Sequence, residues 1–352
     1  MHSVERRTRQ FLERLRSQWN ALAVTATESL SVRQQIGPWR IAQHYPGQNL
    51  KPVFAPALAH HPHLADDLLP DLEILCIDAR EGLFDLGDAP WSDSDLGPMG
   101  LINGLVDSGL HALWDYQRRA IHIADLASRF AVVILPDAAS VPGWEQTFPF
   151  RNLLHWLALN RGDVLVHAAA IAGDEGALLM VGDSGAGKST TALAGAEAGL
   201  KLLGDDFVAV TFDPVPMVHS LYASAKLTGE STRRFKRLAG RMTHHIGAEH
   251  EKNIFFLDAL GERRMQASAP LAGLVHLTRT GSDHSAMRAS SSGTIFRLCA
   301  ANTLALLPGE RERTLAALSR LSTSAPAHEL MLGQCSNEIG AFLHDRLNRR
   351  AA

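Results

Sequence analysis

The stretch ALLMVGDSGAGKSTTALAGAEAGL, residues 177–200, decides the fold of the C-terminal half of the chain. Its first five residues are all apolar, which is typical of a strand buried on both faces. A glycine-rich turn follows, and residues 188–198 are strong helix formers that end before Gly199, a residue suited to cap a helix. The order of strand, glycine loop and helix favours an α/β domain.

The turn also satisfies the pattern G-x-x-x-x-G-K-[ST]. Its glycines permit tight turns that aim backbone N–H groups inward, and the helix N-terminus adds partial positive charge there. Lys188 is expected to bridge the β- and γ-phosphates of a nucleotide, and the Ser189 hydroxyl to join the shell of a Mg²⁺ ion. The pattern predicts ATP and Mg²⁺ as cofactors, although a phosphate loop does not itself select ATP over GTP. The predicted nucleotide-binding residues are Gly182, Asp183, Ser184, Gly185, Ala186, Gly187, Lys188, Ser189 and Thr190.

Two adjacent carboxylates, Asp205 and Asp206, follow the next apolar run, at 200–203. One helix and one strand separate them from the loop, so they are expected to return to the same edge of the sheet. There, one carboxylate can hold Mg²⁺ together with Ser189, and the other can accept a proton from an attacking hydroxyl. A solvated Gly-Asp-Asp turn is the alternative.

His167 lies on a predicted strand at 164–171, which a turn at 174–176 connects to the strand that feeds the loop. We expect these two strands to pair. A lone histidine on a strand is more often packed or hydrogen-bonded than catalytic, so its spacing alone does not assign it a role.

Together, residues 167–210 resemble the core of the HPr kinase family and its HPr-kinase-related relatives. In that family a histidine precedes the loop by a hairpin, the loop reads G-x-S-G-x-G-K-S, and a glycine leads to a strand ending in Asp-Asp. The resemblance implies a sheet-centred kinase fold like that of phosphoenolpyruvate carboxykinase, and ATP-dependent phosphorylation of a serine hydroxyl. Catalytic roles then fall on four residues: Lys188, His167 beside the transferred phosphate, and Asp205 and Asp206 as base and metal ligand in an order left open.

Two departures from the family pattern narrow the expected activity. Bifunctional HPr kinase/phosphorylases carry glutamate after the loop serine, where this chain has Thr190, and no Glu-Ile-Arg-Gly-Leu-Gly-type segment is present. Neither the reverse reaction nor HPr as acceptor is therefore expected. The chain is more similar to HPr-kinase-related proteins found beside peptide-modification systems, which makes a peptide or small protein the expected acceptor. A kinase of free serine or another metabolite, and a non-enzymatic ATP sensor, are the alternatives.

The rest of the chain is expected to form a separate domain. Residues 3–22 carry an apolar stripe at helical spacing, and short β-like runs occur at 29–34, 39–45, 72–78, 119–123 and 131–135. We predict an α/β protein overall. It has an N-terminal α+β domain with a mostly antiparallel sheet at 1–145, for acceptor recognition, and a C-terminal HPr-kinase/PEP-carboxykinase-like P-loop kinase domain at 146–352.

Composition and charge argue against several classes of function. A net charge of −3 over 352 residues does not favour a nucleic-acid or membrane binder, and no run of eighteen apolar residues predicts a membrane span. Three dispersed cysteines argue against a disulfide framework or structural zinc site. Without an apolar leader near the N-terminus, a cytoplasmic location is expected. Related kinases form oligomers, so a homo-oligomer is possible.

Weaker signals concern basic and histidine-rich segments. A run of Arg233, Arg234, Lys236, Arg237 and Arg241 would share a helix face and serve an acidic peptide or the triphosphate, or be merely solvated. Lys226 and Lys252 lie beside β-like runs and are candidates to reach phosphate. The histidines at 60, 61, 63, 244 and 245 lack the spacing and partners of a metal site.

Overall fold

The protein is a mixed α/β chain with several mixed sheets. The structure, a computed structural model, describes residues 3–26, 30–65, 67–105, 109–235, 252–256 and 264–348. The chain divides into two compact units, one of residues 1–55 and 61–160, the other of residues 56–60 and 161–352. Within the described residues, no helix has both the length and the apolar character needed to cross a membrane.

The first unit is built around a six-stranded sheet in the order β1-β2-β3-β6-β5-β4. Its elements are α1 Ser3–Thr25, β1 Ser31–Ile36, β2 Trp39–His44, α2 Lys51–Leu58, β3 Leu72–Asp78, β4 Leu110–Asp115, β5 Ala120–Asp125, β6 Phe130–Leu135, α3 Gly143–Gln146 and α4 Arg151–Arg161. The two central pairings, β2 with β3 and β3 with β6, are parallel, and the outer pairings are antiparallel. The sheet is therefore more mixed than the sequence predicted, because α2 provides a crossover between β2 and β3 that the sequence analysis missed.

The helix α1 covers one face of this sheet. Phe11, Leu12, Leu15 and Trp19 are buried and recur at helical spacing, so they form a single stripe. They pack in one cluster with side chains of β3, β5 and β6. The predicted helical stripe is thus confirmed.

The second unit contains a larger, nine-stranded sheet. Seven strands follow the order β10-β8-β9-β15-β12-β11-β7, and off this path β17 pairs with β15, and β16 pairs with β17. Its elements are β7 Val164–His167, β8 Ala169–Gly173, β9 Gly176–Val181, α5 Lys188–Glu197, β10 Lys201–Gly204, β11 Phe207–Thr211, β12 Met217–Ser220, β13 Ser224–Leu227, α6 Gly229–Arg234, β14 Asn253–Phe256, β15 Ser268–Arg279, β16 Ala286–Ala289, α7 Ser292–Leu304, α8 Arg311–Ser322, β17 Ala327–Leu332 and α9 Ser336–Leu347. The strands β13 and β14 pair separately.

Helices cover both faces of the larger sheet. Along β9, Leu178 and Met180 join a core cluster with α5 and α9, whereas Leu179 and Val181 join a second cluster with α7 and α8. This alternation follows from the two-residue repeat of a strand and explains why β9 is apolar throughout.

The strand predicted at 164–171 is in fact two strands, which is a correction to the sequence analysis. The chain breaks at Ala168, so β7 pairs with β11 and only β8 pairs with β9, through the predicted hairpin. The expected pairing of the His167 strand with the loop strand was therefore wrong. A second break lies opposite, between β10 and β11, where the Ala168 N–H donates to the carbonyl of Asp206 at 3.0 Å.

Candidate active site

The glycine loop, residues 182–187, connects the end of β9 to the start of α5. Gly185 and Gly187 have φ angles of +83° and +106°, a region that residues with a Cβ adopt only with strain. A Cβ at Gly187 would also lie 3.2 Å from Leu332 Cδ1. The sequence places glycine where the turn into the helix requires it.

Lys188 begins α5 and folds back over the loop. Its Nζ donates hydrogen bonds to the carbonyl of Gly182 at 2.6 Å and to that of Asp183 at 3.2 Å. Burial lowers the pKa of the Lys188 ammonium, and the negative charges of Asp206 and Asp205 partly offset this effect. The cation is thus held at the mouth of the loop, close to both carboxylates.

Asp205 lies in the bend between β10 and β11 and is only 2% exposed. Its Oδ2 accepts a hydrogen bond from the backbone N–H of Lys226 at 3.0 Å. Its Oδ1 is buried and accepts no hydrogen bond from the described residues, although the Ser189 hydroxyl is near enough to lower the pKa. A buried carboxylate with one oxygen free to accept a further bond therefore lies close to the Ser189 hydroxyl.

Asp206 turns toward the open cleft instead. It forms an ion pair with Lys226 Nζ, and its Oδ1 lies 3.8 Å from His167 Nε2. The break at Ala168 produces this approach, because it ends β7 at His167 opposite Phe207, the residue after Asp206. The ring of His167 leans on Phe207, with ring centroids 5.3 Å apart, and its backbone N–H donates to Thr303 Oγ1 at 3.3 Å.

The two aspartates are shifted in opposite directions. Burial, reinforced by the charge of Asp206, raises the pKa of Asp205 to about 6. Burial alone would also raise the pKa of Asp206, but the combined effects of Lys226 and His167 outweigh it and lower that pKa well below its usual range. One neighbour of an adjacent pair thus stays ionised while the other holds its proton more tightly.

These groups border a cleft of about 550 Å³, which we call the loop cleft. Its lining includes His167, Ser184, Gly185, Gly187, Lys188, Ser189, Thr190 and Asp206 from the predicted site. The other predicted residues, Gly182, Asp183, Ala186 and Asp205, are not among the residues that line the cleft. Both lysines flagged in the sequence, Lys226 and Lys252, also border the cleft.

Sequence reasoning missed Arg279 and Asn302, which also line the loop cleft. Asn302 Nδ2 donates to Asp183 Oδ1 at 3.4 Å. Arg279 ends β15, which runs parallel to β9 with His276 opposite Val181, so its side chain arrives at the edge where the loop begins. Only the strand order reveals this proximity, because nearly a hundred residues separate Arg279 from the loop.

The basic run predicted from Arg233 onward is only partly visible. The helix α6 ends at Arg234, with Phe235 as its C-cap, and Arg234 pairs with Glu230 at 2.8 Å while lining the loop cleft. Lys236, Arg237 and Arg241, and likewise His244 and His245, lie outside the described residues.

Histidines and acidic residues do not build a separate metal centre in the described part of the chain. No group of three or more potential histidine, cysteine or carboxylate ligands occurs there. His60 instead shares a hydrogen bond of 2.8 Å with the Ser220 hydroxyl. Magnesium does not require such a group, because it usually takes one or two carboxylates and completes its shell with water and substrate phosphates.

Comparisons with known proteins add little. No protein-family model matches the chain, and no curated protein matches it. Among solved structures, the chain is similar to the Hpr(Ser) kinase/phosphatase from Coxiella burnetii, with 12% identity and a TM-score of 0.31 over 52% of this chain and 93% of that one. The likeness is distant, and neither the fold nor the function of this chain is inferred from it.

Proposed function

We propose that the protein is an ATP- and Mg²⁺-dependent kinase that phosphorylates a serine-type hydroxyl on a peptide or small protein. The supporting observation is the convergence of a glycine loop, Lys188 and Asp206 in one cleft, with the buried Asp205 next to Asp206. The proposed kinase domain comprises residues 146–352 and is of the HPr-kinase/PEP-carboxykinase-like P-loop type, and the proposed role of residues 1–145 is acceptor recognition.

Phosphate binding falls to the loop and to Lys188. Backbone N–H groups of residues 182–190 and the N-terminus of α5 favour anions at this position. Lys188 Nζ donates to two loop carbonyls, so it is held at the loop, where the proposal sets the β- and γ-phosphates. It offsets charge on the transferred group without having to move far.

The proposed magnesium ligands fit the chemistry of that ion. Asp205 Oδ1 is a buried carboxylate oxygen that accepts no hydrogen bond from the described residues, and the Ser189 hydroxyl lies on the same side. Hard oxygen donors of this kind suit Mg²⁺, and the ion would supply positive charge that offsets the negative charge of the nucleotide phosphates. A cation there would also compensate the buried charge of Asp205.

The proposed base is Asp206. A general base must first lie within reach of the proton that it accepts, and its pKa is considered only after that. Asp206 faces the cleft, whereas Asp205 is not among the residues that line it. The acceptor oxygen would bond to the γ-phosphorus as the bond to the bridging oxygen of ADP breaks. ADP leaves with that electron pair, and the hydroxyl proton passes to Asp206. A weakly basic carboxylate suffices, since phosphoryl transfer through a loose transition state depends mainly on positioning and charge.

His167 and Lys226 are proposed to position this base. Lys226 reaches Asp206 through its ammonium and Asp205 through its backbone N–H, and therefore holds the two carboxylates in fixed relation. His167 approaches the other carboxylate oxygen of Asp206 and lines the cleft, where the proposal sets the transferred phosphate.

The test is transfer of label from γ-labelled ATP with Mg²⁺, offering serine-containing peptides and free serine in parallel. Label on a peptide that is lost in Lys188→Ala supports the proposal. Label on free serine alone would make the protein a metabolite kinase. If no acceptor is labelled while ATP still binds tightly, a nucleotide sensor replaces the proposed enzyme.

A further inference from the structure

A second cavity of about 260 Å³ adjoins the loop cleft, and we call it the side cavity. The two share four lining residues, namely Gly187, Thr190, Arg234 and Arg279. The two spaces therefore adjoin at these residues, beside the first turn of α5.

The groups proposed for phosphoryl transfer lie on the side of the loop cleft. His167, Asp206 and Lys226 line only the loop cleft. Thr191 and the segment after β17 line only the side cavity. A molecule that presents its reacting end to Asp206 has its opposite end directed toward the side cavity.

The walls of the side cavity differ in chemistry from the phosphate end. Leu332 and Ile339 supply apolar surface, while the exposed Gln334 and the backbone at Gly281 and Gly333 supply polar groups. The side cavity thus combines an apolar surface with polar groups, and sites for small molecules use both, the apolar surface for burial and the polar groups for orientation. Because small-molecule sites usually measure about 300–1,000 Å³, the side cavity suits one end of a ligand rather than a whole one.

Two arginine side chains line both the loop cleft and the side cavity. Arg279 lies there, and its guanidinium makes no hydrogen bond or ion pair with the described residues. Arg234 lies there too, paired with the exposed Glu230. Guanidinium groups at this point suit the phosphates that lie between a transferred group and a nucleoside.

Sheet topology accounts for this arrangement. The strands β9, β15 and β17 are neighbours and all parallel, with His276 opposite Val181 and Arg279 opposite Leu332. The glycine loop, residues 279–281 and residues 332–334 therefore leave the sheet at one edge. Ligands of α/β sheets bind outside such carboxyl ends.

We propose that the side cavity holds the nucleoside, that is the ribose and base, of the bound nucleoside triphosphate. This assignment rests on the proposed function and adds the direction of the nucleotide. The base lies against Leu332 and Ile339, the phosphates pass Arg279 and Arg234, and the γ-phosphate ends beside Asp206.

The test compares the affinities of ATP and inorganic triphosphate, by calorimetry with Mg²⁺, in three variants. Leu332→Ala is expected to weaken ATP by about tenfold or more, the effect of removing apolar groups from a binding pocket, and to leave inorganic triphosphate unchanged. Leu332→Met conserves volume and should keep the wild-type affinity for ATP. Lys188→Ala should weaken both ligands.

Photolabelling with 8-azido-ATP provides a readout that does not depend on folding of the variants. Cross-links within 279–281 or 332–339 support the assignment, and cross-links confined to other segments overturn it. Equal affinities of wild type and Leu332→Ala for ATP would also overturn it. If Lys188→Ala binds triphosphate as tightly as wild type, the phosphate site of the proposed function fails, while the photolabel still judges the nucleoside position.

Discussion

At the scale of single residues, the notable feature is that two adjacent aspartates have different environments. Asp205 is buried, with one oxygen bonded to the Lys226 backbone, and this burial raises its pKa to about 6. Asp206 faces the cleft, and Lys226 with His167 keeps its pKa low in spite of burial. Divergent pKa values in one pair are a common sign of divided roles.

The shift at Asp205 has a consequence for stability. Folding raises the pKa of Asp205 from 3.8 to about 6, so the folded state binds this proton more tightly than the unfolded state does. The resulting stabilisation of the folded state is fully present below pH 3.8 and is lost as the pH rises through about 6. Asp205→Asn, which keeps an acceptor but cannot ionise, is therefore expected to gain stability relative to wild type between pH 4 and pH 7. Melting temperatures across this range check the prediction, with the exposed Asp174→Asn as control. A difference that stays constant with pH would contradict it.

Lys226 offers a second prediction at this scale. Its ammonium lowers the pKa of Asp206, so Lys226→Met is expected to raise that pKa and to move the acid limb of the transfer rate to higher pH. Lys226→Arg should restore much of the wild-type profile. The pH dependence of kcat for the three proteins is the measurement, and unchanged acid limbs would count against Asp206 as the base.

At the scale of elements, some features could be predicted from local sequence patterns, whereas others depend on contacts between distant parts of the chain. The hairpin of β8 and β9, the glycine loop and α5 follow from apolar runs and glycines close together in sequence, and the structure confirms them. The break at Ala168 was not predictable, because the apolar run continues through it. β17 was missed, although it lies beside β15 and carries Leu332 to the edge of the loop.

The residues of the candidate site also differ in whether local sequence could predict them. The loop residues and the aspartate pair were found because they are close in sequence, and a nearby histidine, His167, was found through a family resemblance. Arg279 and Asn302 reach the loop cleft only through the order of strands and helices, for which no local pattern exists. The glycine loop and the aspartate pair were thus predictable from neighbouring residues in the sequence, whereas their distant neighbours in the cleft were not.

The loop itself supplies a prediction at the element scale. Gly187→Ala combines a φ of +106° with a Cβ 3.2 Å from Leu332, whereas Gly185→Ala meets no atom within 4 Å at a φ of +83°. We expect Gly187→Ala to cost about 1–3 kcal/mol and Gly185→Ala less. Chemical denaturation measures both, with Gly229→Ala, which meets no atom within 4 Å, as control. Equal costs at 185 and 187 would contradict the role of the Leu332 contact.

At the scale of the whole molecule, the chain comprises two compact units with separate hydrophobic clusters. All residues of the loop cleft and the side cavity belong to the second unit. The residues proposed to handle phosphate therefore all lie in one unit, and recognition of the acceptor is the role proposed for residues 1–145.

The most direct test of phosphoryl transfer by this cleft measures two quantities side by side for Asp206→Asn. One is the single-turnover rate of γ-phosphate transfer to the labelled acceptor, and the other is the affinity for ATP with Mg²⁺. We expect the rate to fall by about 100-fold or more, because general-base catalysis typically contributes about 100- to 10,000-fold, while affinity changes only a few-fold. A transfer rate within a few-fold of wild type would contradict the assignment of Asp206 as the base on which the mechanism depends.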